Sequence, residues 1–352
     1  MLAQLQEQVL QAAAHATPLR IRGGGSKDFY GQALEGAVLD TRGHAGVVDY
    51  EPTELVLTAR CGTPLREIED LLEGQNQMLA FEPPHFGTQA TLGGCVASGL
   101  SGPRRQAAGS VRDFVLGAQL LDGRGQLLNF GGRVMKNVAG YDVARALAGS
   151  LGVLGVLTEI SVKVLPRPAA SCTLQFELNE VGALAQINQW AGSPLPISAT
   201  AWQAGLLSVR LSGAQAAVSA AALKLGGTVL SDEQAGLWWT SLREQQLEFF
   251  DGNESLWRLA MPSVAPAIAL PGRQLIEWGG GQRWWKTDAD AATVRSAAVT
   301  GHATLFRASE TMRQQTAVFQ PLAAPLARIH QRLKASFDPA GIFNPGRMFA
   351  DL

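Results

Sequence analysis

The chain contains 352 residues, carries a formal net charge of −1 and has three cysteines, Cys61, Cys95 and Cys172. Its Lys and Arg residues form no block and do not alternate with aromatic residues, so the composition argues against a nucleic-acid partner. The cysteines are scattered and no CxxC pair occurs, which argues against a zinc site or an iron–sulfur cluster on this chain. We therefore expect two or three domains, buried reduced thiols and a cytoplasmic location.

The N-terminal segment Met1–Ala16 has no basic leader, and polar residues interrupt its apolar ones, so it does not resemble a secretion signal. Leu2, Leu5 and Val9 have helical spacing, which predicts a short amphipathic helix. No run of about 18 apolar residues occurs, so no membrane-spanning segment is predicted. Peripheral contact with a membrane through partner subunits stays open.

Strand-like and helix-like segments alternate in the first half of the chain. Leu19–Arg22 and Leu55–Ala59 are predicted strands, and Thr63 and Gly74 are predicted to cap a helix that has Pro64 at its first position. A hairpin is predicted around Asp122–Gly125, and the next strand-rich segment ends at Pro166-Arg167-Pro168, a predicted domain boundary. The remaining predicted elements are the hairpin arms Val111–Leu121 and Gln126–Phe130, the strands Thr173–Leu178 and Leu206–Leu211, the helix Ala214–Leu225, and a final amphipathic helix marked by Leu322, Leu326, Ile329 and Leu333.

Three consecutive glycines follow the first predicted strand. Gly23, Gly24 and Gly25 lie between Arg22 and Ser26-Lys27. Glycine adopts the turn and left-handed conformations in which successive N–H groups converge on an anion, and it lets a phosphate approach the main chain. The stretch therefore predicts a phosphate cradle, with a flexible turn or hairpin corner as the alternative. Neither a Walker loop nor a GxGxxG motif occurs, which excludes the two commonest nucleotide sites.

Two further tracts are rich in small residues. Glu82–Arg105 combines glycines with the hydroxyls of Thr88, Thr91, Ser98 and Ser101, a composition suited to wrapping an extended polar ligand. Gly149–Glu159 alternates glycine with aliphatic residues, which suits a backbone pressed against a flat ring; a tightly packed strand explains it equally.

Taken together and in this order, the three tracts resemble those of the vanillyl-alcohol-oxidase (PCMH-type) family of FAD-linked oxidases. The stretches RVMKNVAGYD (Arg133–Asp142), GPRR (Gly102–Arg105), RD (Arg112-Asp113) and FDPAGIFNPGRMF (Phe337–Phe349) resemble the FAD-binding subunits of 2-hydroxy-acid-oxidising complexes in that family. The resemblance implies an α+β chain. A PCMH-type FAD-binding domain of two α/β lobes is expected at 1–167, followed by a smaller α+β domain at 168–352, whose last roughly 30 residues return toward the flavin.

The resemblance also implies the residues that bind FAD. The first loop would bind the pyrophosphate, the second tract would follow the cofactor, and the third would close over it. Because members with covalent FAD often have a histidine in the first loop, where this chain has Ser26, non-covalent FAD is expected. The implied binding residues are Arg22, Gly23, Gly24, Gly25, Ser26, Lys27, Pro83, Thr91, Leu92, Gly93, Gly94, Ser98, Gly99, Ser101, Gly102, Gly155, Val156 and Leu157.

No catalytic residue is assigned from the sequence. None of the five histidines has HxxH or HExxH spacing, so no metal site is predicted. His85 and His302 are each candidates for a catalytic role or for an ordinary loop or core histidine. Arg307 could pair with a substrate carboxylate or form a structural salt bridge. Asn344–Arg347 resembles the family's C-terminal return, or is simply a terminal turn.

The resemblance implies that this chain supports the flavin-mediated oxidation of a small 2-hydroxy acid, with glycolate giving glyoxylate. The expected partners are a larger FAD-binding catalytic subunit and an iron–sulfur subunit that passes electrons toward a membrane quinone. The larger dehydrogenases of the family carry a HAGDGNLH-like stretch, whereas Thr300–Arg307 lacks the GDGN core and the second histidine. This favours a supporting or electron-relay role over autonomous dehydrogenase activity. A non-catalytic nucleotide-binding module is the third alternative.

Overall fold

A computed structural model describes residues 1–32, 34–132 and 142–352 of the chain. Its helices are α1 Leu2–His15, α2 Leu65–Glu73, α3 Leu92–Ser98, α4 Arg105–Ala108, α5 Val111–Phe114, α6 Val143–Leu147, α7 Glu180–Ala191, α8 Gln215–Leu225, α9 Asp232–Arg243, α10 Ala291–Ala297, α11 Glu310–Gln315 and α12 Ala324–Phe337. Its strands are β1 Leu19–Arg22, β2 Ala37–Asp40, β3 Val47–Glu51, β4 Val56–Arg60, β5 Gln77–Met78, β6 Val115–Leu121, β7 Leu127–Gly131, β8 Val156–Lys163, β9 Leu165–Pro166, β10 Ala170–Glu177, β11 Ile197–Gln203, β12 Leu206–Gly213, β13 Thr228–Val229, β14 Leu256–Ala260, β15 Arg273–Glu277, β16 Gln282–Lys286 and β17 His302–Arg307.

These elements form two compact units, each assembled from separated segments. The first unit comprises Met1–Leu100, Ser110–Pro166 and Pro321–Leu352, and the second comprises Ser101–Gly109 and Arg167–Gln320. The chain therefore contributes residues 101–109 to the second unit, returns to the first, re-enters the second at Arg167 and ends in the first from Pro321 onward. The division into domains at 1–167 and 168–352 stays a prediction.

The first unit contains a five-stranded antiparallel sheet in the order β3-β4-β8-β6-β7 and a parallel pair, β1 and β2. The central strands β4 and β8 are buried along most of their length, as near-continuous apolar strands in the interior of a sheet should be. Parallel strands need a long crossover, and the segment between β1 and β2 contains the glycine loop. The sheet topology thus places that loop at the end of a strand.

The N-terminal amphipathic helix is confirmed. Leu5, Val9 and Ala12 of α1 are buried against Leu19 and Leu39 of the parallel strand pair. Burying each of the Leu and Val side chains contributes on the order of 1.5–3 kcal/mol, so α1 is held by packing on one face.

The predicted hairpin is confirmed for β6 and β7, but its first arm is shorter than expected. Residues 111–114 form the helix α5 instead of strand, because Ser110 and Asp113 make a reciprocal capping box at its start. The helix predicted after Thr63 is also present as α2, with Pro64 as the N-cap. Tertiary and capping interactions, which apolar spacing does not reveal, decide these boundaries.

The second unit is built on an eight-stranded sheet in the order β13-β10-β12-β11-β15-β16-β14-β17, with every pair antiparallel. Ile187 of α7 and Val218 of α8 belong to the same buried apolar cluster as Leu207 and Val209 of β12. Trp257 and Trp285 lie opposite each other on β14 and β16 and are both fully buried. Large aromatic side chains thus fill the core of this unit.

The C-terminal segment folds back onto the first unit. Ile342 and Phe343 are buried in the same core as α1, and Leu19 N donates to the Ile342 carbonyl at 2.7 Å. Lys334 is buried, and its Nζ donates to Asp338 Oδ2 at 2.7 Å and to the carbonyls of Val153 and Phe343. Burial lowers the pKa of Lys334, while Asp338 opposes that shift. A buried ammonium with three acceptors fixes where the last helix meets the unit.

The final amphipathic helix is confirmed as α12, but its orientation is not the usual one. Lys334 is its one buried residue, whereas Leu326, Ile329 and Leu333 are exposed. An amphipathic pattern predicts a helix, and only the packing of the whole chain decides which face is covered.

No helix in the described part of the chain has the length and apolarity needed to cross a membrane.

We expect Asp338→Asn to lower the free energy of unfolding by about 3–5 kcal/mol, because it leaves the buried Lys334 ammonium without a counter-charge. Urea unfolding followed by circular dichroism measures this. The control is Asp40→Asn, which breaks a half-exposed ion pair with Arg42 and should change stability by at most about 1 kcal/mol. Equal losses in the two variants would contradict the prediction.

The three thiols differ in burial and should therefore differ in reactivity. Cys61 and Cys95 are buried, and burial raises the pKa of each to about 12; Cys172 is only half-buried, in contrast to the expectation of three buried thiols. Because the thiolate is the reactive form, Ellman's reagent at mildly alkaline pH should modify Cys172 first in the folded chain and all three thiols after denaturation. Cys172→Ser should remove the fast reaction. Rapid labelling of Cys61 or Cys95 in the folded protein is the contrary result.

Candidate functional site: the glycine loop and its cleft

The glycine loop lines a cleft in the first unit together with residues from the other two small-residue tracts. The second tract contributes Thr91, Gly94, Ala97 and Ser98, and the third contributes Leu151. The loop residues on the cleft are Arg22, Gly23, Gly24, Gly25, Ser26, Lys27 and Asp28. The three tracts singled out from the sequence therefore meet at one place.

Four consecutive main-chain donors of the loop are unused. Among the residues that the structure describes, none accepts a hydrogen bond from the N–H groups of Gly23, Gly24, Gly25 or Ser26. These residues are half-exposed on the cleft, so their N–H groups are available to a ligand without breaking a hydrogen bond within the described part of the protein. A concave run of free N–H groups beside basic side chains is suited to an anion with several oxygens, such as a diphosphate.

The glycines themselves are explained by contacts within the protein. A Cβ at Gly24 would overlap the carbonyl oxygen of Gln89, and one at Gly23 would overlap the Thr91 hydroxyl. Gly25 has φ +74°, a left-handed conformation that disfavours a side chain. The sequence-based explanation, access for a phosphate, is therefore incomplete: at Gly23 and Gly24 close packing against the second tract also excludes a side chain.

Ionic contacts hold the loop in place. Arg20 Nη2 and Arg22 Nε both lie on Asp28 Oδ2, at 2.6 and 2.9 Å. The Lys27 ammonium lies 3.2 Å from the His85 carbonyl oxygen. One carboxylate shared by two guanidinium groups leaves this side of the cleft net positive, which favours an anionic ligand. Sequence reasoning missed Arg20 and Asp28; their proximity to the GGG motif was the available signal.

The C-terminal segment fastens the same loop from the other side. Asn344 Oδ1 accepts from Ile21 N at 2.8 Å, and its Nδ2 donates to the Leu151 carbonyl at 2.6 Å. Asn344 and Leu151 both have positive φ, 41° and 51°, a strained backbone that the shared hydrogen bond holds.

Arg347 completes this fastening. The side chain is buried and donates to the carbonyls of Asp28, at 2.9 Å, and Gln32. Both Asn344 and Arg347 line the cleft, although the predicted binding set omitted them. The NPGR motif at Asn344–Arg347 was the sequence signal from which these two residues could have been predicted.

Several predicted residues of the second tract pack the cleft wall instead of lining it. Thr91 does line the cleft and also caps α3 by accepting from Gly94 N at 3.2 Å, whereas Leu92, Gly93 and Gly99 do not line it. A Cβ at Gly93 would lie 2.7 Å from Cys61 Cβ, and one at Gly99 would lie 2.8 Å from Gly149 Cα. Leu92 is fully buried. These small residues allow α3 to approach its neighbours closely.

The third tract is represented in the cleft by Leu151. Gly155, Val156 and Leu157 are buried, at the start of β8, and a Cβ at Gly155 would lie 2.7 Å from the Leu121 carbonyl oxygen. At Gly155 the glycine is thus explained by a tightly packed strand, the alternative to a backbone that lies against a flat ring. Pro83 is buried and does not line the cleft.

Two predicted residues and one motif lie elsewhere. Ser101 and Gly102 belong to the second unit, where the Trp278 indole N–H donates to the Gly102 carbonyl at 3.1 Å. The RVMKNVAGYD stretch falls almost entirely on residues 133–141, which are outside the described residues.

The candidate catalytic residues remain without an assigned role. His85 Nε2 lies 3.1 Å from Glu69 Oε2. Desolvation and the charges of Arg258 and Arg105 lower the pKa of His302, although its side chain lies at the exposed start of β17. Burial also lowers the pKa of Arg307. Across residues 1–32, 34–132 and 142–352, no group of three or more His, Cys, Asp or Glu side chains is arranged to hold a metal ion.

Comparison with known proteins agrees with this geometry. Residues 2–131 match the model of an FAD binding domain family. The fold is similar to that of alkyldihydroxyacetonephosphate synthase, with a TM-score of 0.66 over 97% of this chain and 75% of that protein; at 17% identity this likeness concerns the fold alone. The expected fold class, an α+β chain with a PCMH-type FAD-binding domain, is confirmed.

Two curated relatives are named subunits. The glycolate oxidase subunit GlcD of Bacillus subtilis (strain 168) is 30% identical over 176 residues, which are 49% of this chain and 37% of that protein. The glycolate oxidase subunit GlcE of Escherichia coli (strain K12) is 53% identical over 350 residues, 99% of this chain and 97% of that protein. The chain therefore belongs to the family of glycolate oxidase subunit GlcE.

Proposed function

We propose that this chain is the FAD-binding subunit of a glycolate oxidase complex and supports the flavin-mediated oxidation of glycolate to glyoxylate. One observation carries the proposal: Gly23 to Ser26, whose N–H groups have no acceptor among the described residues, line a cleft beside Arg22 and Lys27. An FAD pyrophosphate has the charge and the several acceptor oxygens that such a run of donors can satisfy.

The proposed binding residues fall into three groups: residues that line the cleft, buried residues that pack behind it, and residues that neither line nor pack it. Those that line the cleft are proposed to contact FAD, with the loop on the pyrophosphate and Thr91, Gly94 and Ser98 along the ligand. Leu92, Gly93, Gly99, Gly155, Val156 and Leu157 are proposed to shape the wall. Pro83, Ser101 and Gly102 stay in the proposed set on the resemblance alone. Ser26 has no imidazole to link to a flavin, so the cofactor is proposed to be non-covalent.

Bound FAD would supply a two-electron acceptor, while the chain supplies binding and orientation. Asn344 and Arg347 hold the loop backbone before any ligand arrives, which reduces the entropy lost on binding. The free N–H groups carry partial positive charge without a titratable proton, so their contribution to anion binding, unlike that of Lys27, does not depend on the protonation of a side chain.

The electrons are proposed to pass to partner subunits. The partners are a larger FAD-binding catalytic subunit and an iron–sulfur subunit, with the complex in the cytoplasm or on the inner face of the plasma membrane. Two features support a relay over autonomous catalysis: Thr300–Arg307 lacks the GDGN core, and the described residues hold no metal-ligand group. The named subunits GlcE and GlcD among its relatives support a multi-subunit complex.

Gly24→Val should weaken FAD binding at least about tenfold, because its Cβ overlaps the Gln89 carbonyl and displaces the loop from the second tract. Flavin absorbance of the purified chain, after titration with FAD, measures the loss. The matched control is Gly236→Val, since a Cβ there has no atom within 4 Å. A folded Gly24→Val chain with unchanged flavin content would contradict the proposal that this loop binds FAD. A wild-type chain that cannot be loaded with FAD would leave only the third alternative, a non-catalytic module that binds another nucleotide.

The relay role predicts that the isolated, FAD-loaded chain stays oxidised when glycolate is added without oxygen. Flavin absorbance follows the reaction, with dithionite as the control that the bound flavin can be reduced. The same chain should be reduced once it is assembled with its partner subunits. Turnover of glycolate by the lone chain with an artificial acceptor would instead establish autonomous dehydrogenase activity.

A further inference from the structure

Helix α12 exposes a narrow apolar seam. Leu326, Ile329 and Leu333 are 51%, 58% and 37% exposed, and their spacing places them on one face. Leu322 precedes the N-cap of the helix and is half-buried, so the seam consists of the three helical residues. A globular helix normally turns such a stripe toward the core, whereas here the core side is occupied by Lys334.

The C-terminal end of the helix is firmly anchored, so the exposed seam is a fixed feature of the unit. Besides the three acceptors of Lys334, the Ser336 carbonyl accepts from Arg124 Nη1 at 2.8 Å, and the Phe337 carbonyl accepts from Gly123 N at 2.8 Å. The Phe337 ring packs edge-on to Phe130. These contacts prevent the helix from rotating about its axis to bury its leucines.

The seam has the geometry of a coiled-coil contact. Within α12, the spacing of three and four residues from Leu326 to Ile329 to Leu333 corresponds to the a, d and a positions of a heptad, and a seam that narrow packs against another helix. Insertion into a lipid surface favours a broader apolar face. In this register Arg332 occupies position g, where interhelical ion pairs form.

The charges on the helix select the partner. Ala324–Phe337 contains no Asp or Glu, and within the described part of the chain Arg328 and Arg332 take part in no ion pair. Asp351 accepts from Gln331, which at position f is on the side away from the seam. Two copies of α12 would therefore set positive charge against positive charge, whereas a helix with carboxylates beside its seam would complement it.

We propose that the α12 seam docks a helix of a different polypeptide, a partner subunit whose apolar a and d residues are flanked by Asp or Glu. This rests on the proposed function as a subunit of a complex. Ile329, at the centre of the seam, is the main apolar contact, and Arg332 provides the ion pair that fixes register.

The test uses the tagged full-length chain, expressed in its own cells and purified with whatever complex it forms. Ile329→Glu should lower the recovered heteromeric complex about tenfold or more, and Arg332→Glu should lower it less. Leu223→Glu, at an 88% exposed leucine on α8, is the matched control and should assemble like wild type. Flavin content and melting temperature of all three variants should equal those of wild type.

A photo-crosslinking residue at position 329 identifies the occupant. Crosslinks to an acidic amphipathic helix of another subunit support the proposal. Crosslinks to a second copy of this chain, or a complex that survives Ile329→Glu unchanged, overturn it. Co-sedimentation with phosphatidylcholine–phosphatidylglycerol vesicles that is lost in Ile329→Glu, with the complex intact, also overturns it in favour of a membrane contact.

Failure of this proposal is distinguishable from failure of the proposed function. A flavin-loaded Ile329→Glu chain in an intact complex refutes only the seam. A wild-type chain that holds no FAD and forms no heteromeric complex refutes both.

Discussion

The contact between the glycine loop and the Gln89 backbone is the constraint on which the candidate site depends. A carbonyl lies where the Cβ of residue 24 would be, so the loop and the second tract approach more closely than any other residue permits. That approach brings Thr91 and Ser98 to the same cleft as four unused N–H groups. Ordering three glycines costs conformational entropy, and the close packing of the loop against the second tract offsets this cost. The loop is therefore already ordered when a ligand binds.

The C-terminus stabilises this arrangement from a distance of more than 300 residues along the chain. Asn344 joins β1 to Leu151, and Arg347 binds the carbonyls that follow the glycine loop. Lys334 and Asp338 anchor the helix that precedes them. Stability of the C-terminal fold and order of the ligand cleft are therefore coupled, because Lys334 and Asp338 also bind the main chain of Phe343, which directly precedes Asn344.

Anchoring α12 through Lys334 has a second consequence, since it leaves Leu326, Ile329 and Leu333 on the surface. The relative GlcE is named as a subunit, and an uncovered seam beside Arg332, which forms no ion pair within the described residues, is a feature that a lone monomer does not need. Ligand binding and assembly would then depend on opposite ends of one C-terminal segment: α12 faces a partner, while Asn344 and Arg347 hold the loop.

The sequence by itself determined the local elements whose signals are local: the amphipathic helix α1, the strand before the glycines, the hairpin turn after β6, and the order of three small-residue tracts that identifies the family. Only the tertiary structure decided which residues of those tracts reach the cleft, since Gly93 and Gly155 serve packing contacts with residues far along the chain. It also decided that α12 exposes its leucines. Periodicity encodes which residues share a face, but what covers that face depends on long-range partners such as Asp338, which no local pattern specifies.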